Sequence, residues 1–216
     1  MSYEDVNIVT YVAAPTAADR DGVCAAQQLA GAGNLVIAGA LASGGIATFG
    51  EQQRVTIYSA GNLSALTFTV YGLTAFGDSI SEAVTGPNNT TVSTTANLKQ
   101  VTRVAVSGAV GTNVEVGNSN ALETPWVELI SSWPLKGISV QLSSGASLTY
   151  EVQYGTRKRL SSSDAETGIL AKADATLTAK TASDSTAITI PWPMARLKIT
   201  SFVSGTATLR VVECPG

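Results

Sequence analysis

The chain offers few side chains that could do chemistry, and it contains no histidine. That absence excludes Ser-His-Asp and Cys-His nucleophile systems, together with the usual zinc catalytic sites. Two carboxylate pairs remain, Asp78 with Glu82 and Asp164 with Glu166. Residues two apart share one face of a strand, so Asp164 and Glu166 could converge as the two acids of a glycosidase. Residues 161–168 read as a Ser-rich loop, however, so we expect neither pair to be catalytic and the chain not to be an enzyme.

The remaining reactive or charged groups do not indicate a cofactor. Cys24 and Cys214 lie near opposite ends of the chain, and two cysteines without histidine or a CxxC motif do not make a zinc site. We expect two unpaired, partly buried thiols, although a disulfide stays open. Residues 157–159 (Arg-Lys-Arg) are more typical of a solvated loop than of a phosphate site, and Gly31-Ala-Gly33 lacks the third glycine of a dinucleotide fingerprint.

The composition is poor in charge. Charged residues make up 13% of the 216 residues, against about 25% in an average soluble domain. Such a surface is typical of a protein covered by other subunits, and a secreted Ser/Thr-rich β protein is the alternative. The net charge of −3 makes a nucleic-acid partner unexpected.

The N-terminus and the hydropathy give no sign of a membrane or a secretory signal. Acidic residues stand where a signal peptide would be basic. The most apolar run, residues 35–41, is shorter than the roughly 20 residues that cross a bilayer. We therefore expect the chain to be made in a cytoplasm and to have no membrane partner.

The elements that would position these residues are mainly strands. Residues 1–50 form a predicted N-terminal arm that is rich in small residues, with a short helix over 23–30 and a strand over 34–39. From Arg54 onward apolar residues recur with a period of two. Residues 67–87 read as a hairpin whose turn contains Gly77 and Asp78, and further short strands follow at 90–95, 101–106 and 112–116.

The second half repeats the first loosely. Residues 138–155 follow the plan of 55–72, and residues 196–212 follow that of 101–116. We therefore predict an all-β fold with two tandem sandwich lobes, Ig-like or jelly-roll-like. The predicted boundaries are an arm over 1–50, lobe one over 51–118, a linker over 119–126 and lobe two over 127–216.

The tryptophans are the best sequence candidates for a subunit interface. Tryptophan is enriched at protein interfaces, and Trp192 lies between two prolines, which suits an edge or a loop. The alternative is that the tryptophans close the ends of the core. Our predicted interface residues are Trp126, Trp133, Trp192, Leu35 and Ile37.

Several phrases of the chain resemble a known group of proteins. The phrases are GAGNLVIAGALA (31–42), RVTIYSAGN (54–62), TFTVYG (67–72), EAVTGPN (82–88) and VTRVAVSG (101–108). Together they resemble small structural proteins of tailed bacteriophages over roughly residues 20–117. The resemblance implies a virion component that is assembled in the cytoplasm of the host bacterium and carries no catalytic residues.

The expected function follows from composition and resemblance together. The first expectation is a capsid decoration or cement protein that binds its own copies and the major capsid protein, and bridges capsid subunits. A head–tail connector or tail protein with cyclic symmetry is the alternative, and the partner would then be another virion protein. A secreted carbohydrate-binding sandwich is the distant third.

Overall fold

A computed structural model of the chain describes residues 6–130, 133, 135–155, 171–188 and 192–214. These residues form sixteen β-strands and contain no helix. In chain order the strands are β1 (Asn7–Ala13), β2 (Cys24–Leu29), β3 (Gly33–Asn34), β4 (Ala42–Ser43), β5 (Ile46–Asn62), β6 (Thr67–Leu73), β7 (Ser79–Thr85), β8 (Asn88–Val106), β9 (Val110–Glu123), β10 (Val127–Glu128), β11 (Leu135–Leu142), β12 (Ser147–Gly155), β13 (Ala171–Ala173), β14 (Asp184–Ile188), β15 (Met194–Ser204) and β16 (Ala207–Cys214). The predicted all-β class is confirmed, and the open antiparallel sheets are consistent with a sandwich architecture.

The chain divides into two compact units. The central unit is Thr16–Leu122, and the terminal unit combines Met1–Pro15 with Glu123–Gly216. The residues of the predicted arm are thus shared between the units: β1 pairs with β16 in the terminal unit, whereas residues 16–50 belong to the central unit. The backbone N–H and C=O groups of a strand need hydrogen-bond partners, and those of β1 find them on β16, the last strand of the chain.

The central unit is built on the strand order β9-β5-β8-β6-β7, with β2 added to β9, β3 to β8 and β4 to β5. Its long strands β5 and β8 contain 17 and 19 residues. Register shifts between them, at Thr48/Gln53 and Arg54/Thr56, mark bulges at which a strand can bend. Residues 90–95 and 101–106, predicted as separate strands, are parts of the single strand β8.

One core fills the central unit. Its members are apolar side chains that alternate along the strands with exposed polar ones. They are Val23, Cys24, Leu35, Ile37, Ala47, Phe49, Val55, Ile57, Leu63, Phe68, Val70, Val84, Leu98, Val101, Val104, Val106, Val110, Val114 and Val116.

The predicted helix over residues 23–30 is wrong, because Cys24–Leu29 is strand β2. It pairs antiparallel with β9, with Cys24 opposite Val116 and Leu29 opposite Val110. Its Ala, Gln and Leu residues favour a helix locally, but eight residues gain little from propensity compared with a ladder and a buried Cys24. The strand predicted over 34–39 is also shorter than expected: strand β3 is Gly33–Asn34, paired with β8, and the Leu35 amide adds one hydrogen bond to the Val104 carbonyl of β8.

The predicted hairpin over residues 67–87 is confirmed. Strands β6 and β7 pair without a register shift from Thr67↔Thr85 to Leu73↔Ser79. In the turn the Thr74 amide donates to the Asp78 carbonyl at 2.9 Å, and Gly77 adopts a φ of 84°. Only glycine takes that conformation without strain, which explains the glycine at this position.

The described residues of the terminal unit lie in two sheets. One is the four-stranded sheet β1-β16-β11-β14, and the other contributes the strands β13-β12-β15 of a 12-stranded sheet, with β10 paired to β15. Along β12 and β16 buried and more exposed residues alternate, so that Leu148, Tyr150 and Val152 on β12, like Leu209 and Val211 on β16, lie in the interior. Each sheet therefore buries one face, as the layers of a sandwich do.

The two units share one local feature that a repeat would produce. Strand β5 leads to β6 through a turn in which the Leu66 amide donates to the Leu63 carbonyl at 2.9 Å, and β11 leads to β12 through a turn in which the Ala146 amide donates to the Ser143 carbonyl at 3.1 Å. The internal duplication itself stays a prediction.

Candidate interaction surface and a buried polar cluster

Three of the five predicted interface residues are buried within their own unit. Leu35 and Ile37 belong to the central core and are 4% and 9% exposed. Trp126, at 5% exposure, packs against Met194, and the Arg196 guanidinium lies 4.3 Å from its ring centroid. A side chain that is already packed in this way offers little area to a partner.

The other two, Trp133 and Trp192, are half-buried. Trp192 stacks on Tyr154 with ring centroids 6.0 Å apart and an interplanar angle of 5°. The Tyr154 hydroxyl donates to Asp174 at 2.7 Å. Burial, with this hydrogen bond, raises the pKa of Tyr154, so the phenol stays a proton donor. The roles of these five residues at an interface stay predictions.

The acidic residues singled out from the sequence have structural contacts where they are described. Both carboxylate oxygens of Glu82 accept hydrogen bonds from β8: from the Thr95 amide at 2.7 Å, the Thr95 hydroxyl at 2.9 Å and the Ala96 amide at 2.9 Å. Asp78 lies in the β6–β7 turn. Asp164 and Glu166, like the basic run 157–159, lie outside the described residues.

The two thiols are free. Burial raises the pKa of the Cys24 thiol to about 12, so it stays protonated and unreactive near neutral pH. Within the described residues no group of three or more His, Cys, Asp or Glu side chains is placed to bind a metal ion. The same part of the chain has no helix long and apolar enough to span a membrane.

One broad surface stands out in the terminal unit, and we call it the outer sheet face. It is the outward side of the sheet β1-β16-β11-β14, where the strand registers place residues in rows. The rows are Ile8, Val212, Gly137 and Ala187; then Thr10, Arg210, Ser139 and Ser185; then Val12, Thr208 and Gln141. Arg210 is the one charged residue among these eleven, and Ile8 and Val12 are 51% and 55% exposed.

Beneath the opposite side of the same sheet lies a polar cluster that sequence reasoning missed. Asn7, Glu213 and Lys136 stand directly opposite one another on β1, β16 and β11. Lys136 and Glu213 form an ion pair with an Nζ–Oε1 distance of 3.0 Å, and both side chains are 0% exposed. The Asn7 amide donates to Glu213 Oε2 at 2.7 Å.

Backbone groups of Ile130 and Trp133 complete this cluster. The Lys136 ammonium donates to the Ile130 and Trp133 carbonyls, each at 2.7 Å, and the Ile130 amide donates to Glu213 Oε1 at 2.8 Å. Removing one member of such a buried pair typically costs about 3–5 kcal/mol. The alternation of the strands indicated this burial. Glu213 lies two residues after Val211 and four after Leu209, on the buried face of β16. Lys136 likewise shares the buried face of β11 with Ile138 and Val140.

Comparisons with known proteins add little to this picture. No protein-family model matches the chain, and no curated protein matches it. Among solved structures, the PBSX exported protein XepA is similar, with a TM-score of 0.29 and 10% sequence identity, over 95% of this chain and 86% of that one. A similarity at this level carries no argument about the function of this chain.

Proposed function

We propose that this chain is a non-enzymatic structural component of a bacteriophage virion, in the first place a capsid decoration protein that bridges capsid subunits. The outer sheet face is the observation that carries the proposal. It exposes Ile8 and Val12 beside small uncharged residues, with Arg210 as its one charge. Charged residues are depleted at the centres of protein interfaces, so a subunit contact suits a face with one charge among eleven residues. The phage assignment depends on the sequence resemblance.

The contacts of the described side chains support a structural rather than a catalytic role. Glu82 is bound to the backbone of β8, and the Cys24 thiol is buried. In this proposal the outer sheet face of the terminal unit packs on the major capsid protein.

The copy number of the chain in gradient-purified particles, measured against the major capsid protein by quantitative mass spectrometry, tests the proposal. A decoration protein requires about one copy per capsid subunit or per few subunits. A count of about a dozen or fewer, the size of one closed ring, would instead assign the chain to a connector or tail. Absence from particles would overturn both roles and turn attention to glycan binding.

A matched pair of variants tests the surface itself. Val12→Lys places a charge in the outer sheet face, whereas Val203→Lys places the same charge at a site that is 65% exposed on β15, in the other sheet. We expect the first variant to fold normally but to incorporate at least tenfold less into particles, and the second to incorporate like the unmodified chain. Equal incorporation of the two variants would contradict the proposed contact surface.

A further inference from the structure

The buried cluster of Asn7, Glu213 and Lys136 brings a primary amine, an amide and a carboxylate together. The carboxylate of Glu213 bridges the other two groups: its Oε1 lies 3.0 Å from the Lys136 Nζ, and its Oε2 lies 2.7 Å from the Asn7 Nδ2. The three residues are directly opposite each other on three adjacent strands, so their side chains leave the same face of the sheet.

From this geometry we propose that the chain forms an intramolecular isopeptide bond between Lys136 Nζ and Asn7 Cγ, with Glu213 as the general base and acid. The proposal goes beyond the proposed virion role and does not depend on it. It assigns to the cluster a covalent chemistry that needs no cofactor, oxidant or second protein.

The reaction balances with the groups present. Glu213 accepts a proton from the Lys136 ammonium, and the resulting amine attacks Asn7 Cγ. The protonated Glu213 then delivers its proton to the amide nitrogen of Asn7, the bond from Cγ to that nitrogen breaks, and ammonia leaves. The new amide nitrogen then carries two protons: one stays as its N–H, and Glu213 takes the other and passes it to the ammonia, which leaves as ammonium. One carbon–nitrogen bond forms and one breaks, with no oxidation or reduction.

The surroundings favour this reaction over hydrolysis. Lys136 and Glu213 are fully buried and Asn7 is half-buried, which limits the access of water to the reacting groups. The Ile130 and Trp133 carbonyls hold the Lys136 Nζ in place, and the Ile130 amide orients Glu213. Glu213 contacts both Lys136 and Asn7, so one carboxylate holds the nucleophile and the electrophile in the same cluster, and holding two reactants together raises their effective concentration. The terminal amide of Asn7 can rotate about its last side-chain bond, so protonated Glu213 can also donate to Oδ1 and polarise the carbonyl.

The bond would join β1 to β11 across β16, which lies between them. The first strand of the chain would then be unable to leave the sheet. Without the bond, β1 depends on one antiparallel ladder, the seven residue pairs from Asn7↔Glu213 to Ala13↔Ala207.

The intact mass of the purified, denatured full-length chain decides between a covalent cross-link and an ion pair. We expect the mass to be lower than that of the sequence by one ammonia per chain. Glu213→Gln removes the general base, and its mass should show no such deficit. Glu151→Gln, which alters the partially exposed pair of Glu151 with Lys198, is the matched control and should keep the deficit. A wild-type mass equal to that of the sequence would overturn the proposal, whatever the variants do.

A tryptic digest locates the bond. Residues 1–20 form one tryptic peptide, and a modified Lys136 blocks cleavage between 104 and 157. We therefore expect a single branched species that contains peptides 1–20 and 104–157 and that fragments at Asn7 and Lys136. Separate peptides 1–20, 104–136 and 137–157 would contradict the cross-link.

Discussion

Gly117 on β9 shows how closely two backbone segments approach in the central unit. A Cβ at this position would lie 1.8 Å from the carbonyl oxygen of Asp19. The neighbouring Asn118 fixes the same segment, because its side chain accepts from the Asp19 amide at 3.0 Å and donates to the Ala17 carbonyl at 3.0 Å. The backbone of residues 17–19 is thus held against β9, and the contact at Gly117 is too close for any side chain.

We therefore expect Gly117→Ala to destabilise the chain by about 1–3 kcal/mol, because the new methyl group must push backbone aside. Gly111→Ala on the same strand is the control, since no atom lies within 4 Å of its Cβ position and its effect should stay within about 0.5 kcal/mol. Denaturant unfolding followed by fluorescence measures both. Equal stabilities of the two variants would show that the Asp19 backbone can move away from β9 at little cost in free energy.

Cys24 provides a second prediction at the scale of one residue. Burial raises the pKa of its thiol from 9.0 to about 12. Between these values the unfolded chain loses the proton while the folded chain keeps it, so stability falls as the pH rises through that range. In a Cys214→Ser background we expect no labelling of native protein by a thiol reagent at pH 8, and one label per chain after unfolding. Rapid native labelling would mean that β2 opens readily.

At the scale of the element, Glu82 replaces a missing part of the β5–β8 ladder. The register of these strands passes from Arg54↔Asn97 to Thr56↔Ser93, so Thr95 and Ala96 have no partners on β5. The Glu82 carboxylate on β7 accepts from both of their amides instead. The bulge is stabilised by a carboxylate because each of its two oxygens can accept a hydrogen bond from a backbone donor.

Glu82→Gln keeps the size of the side chain but leaves one acceptor oxygen and adds two donors that face backbone amides. We expect a loss of about 1–3 kcal/mol in the free energy of unfolding. Glu128→Gln, at an exposed position on β10, is the control and should be neutral. Hydrogen exchange at Thr95 and Ala96 should speed up in the first variant alone, and unchanged protection of these amides would contradict the bridging role.

The elements also show which parts of the fold could be predicted from the sequence. The β6–β7 hairpin was predictable because alternation and the turn residues Gly77 and Asp78 are local signals. Strand β2 was not, because its composition favours a helix and only the ladder with β9 makes it a strand. The interface residues Leu35 and Ile37 were chosen for being apolar, a property that equally describes the buried members of a core. Lys136 and Glu213 were passed over because a charged residue in a strand usually faces solvent.

At the scale of the whole molecule, the pairing of β1 with β16 could not be read from the sequence. Asn7 and Glu213 are separated by 206 positions, and alternation along one strand does not identify its partner. The same long-range pairing joins both ends of the chain into the terminal unit. Residues 16–50 likewise belong to the central unit. A fragment that is to fold alone must therefore include them.

The central unit should fold as the fragment 16–122. All strands from β2 to β8 and nearly all of β9 lie in this fragment, and so does every member of its core. A fragment cut at the predicted lobe boundaries, 51–118, lacks Val23, Cys24, Leu35 and Ile37, which are at most 9% exposed. Burying each large apolar side chain contributes about 1.5–3 kcal/mol, whereas a whole domain is stable by only about 5–15 kcal/mol.

We therefore expect cooperative thermal unfolding and dispersed amide resonances from fragment 16–122, and neither from fragment 51–118. The contrast has a physical reason: β2 covers one edge of β9, and Leu35 and Ile37 close the core next to β3, so the shorter fragment exposes both an edge strand and apolar surface. Circular dichroism melts and two-dimensional NMR of the two fragments at equal concentration provide the measurement. Cooperative folding of 51–118 would show that residues 16–50 are an appendage on a complete lobe, and failure of 16–122 would show that the central unit needs the rest of the chain.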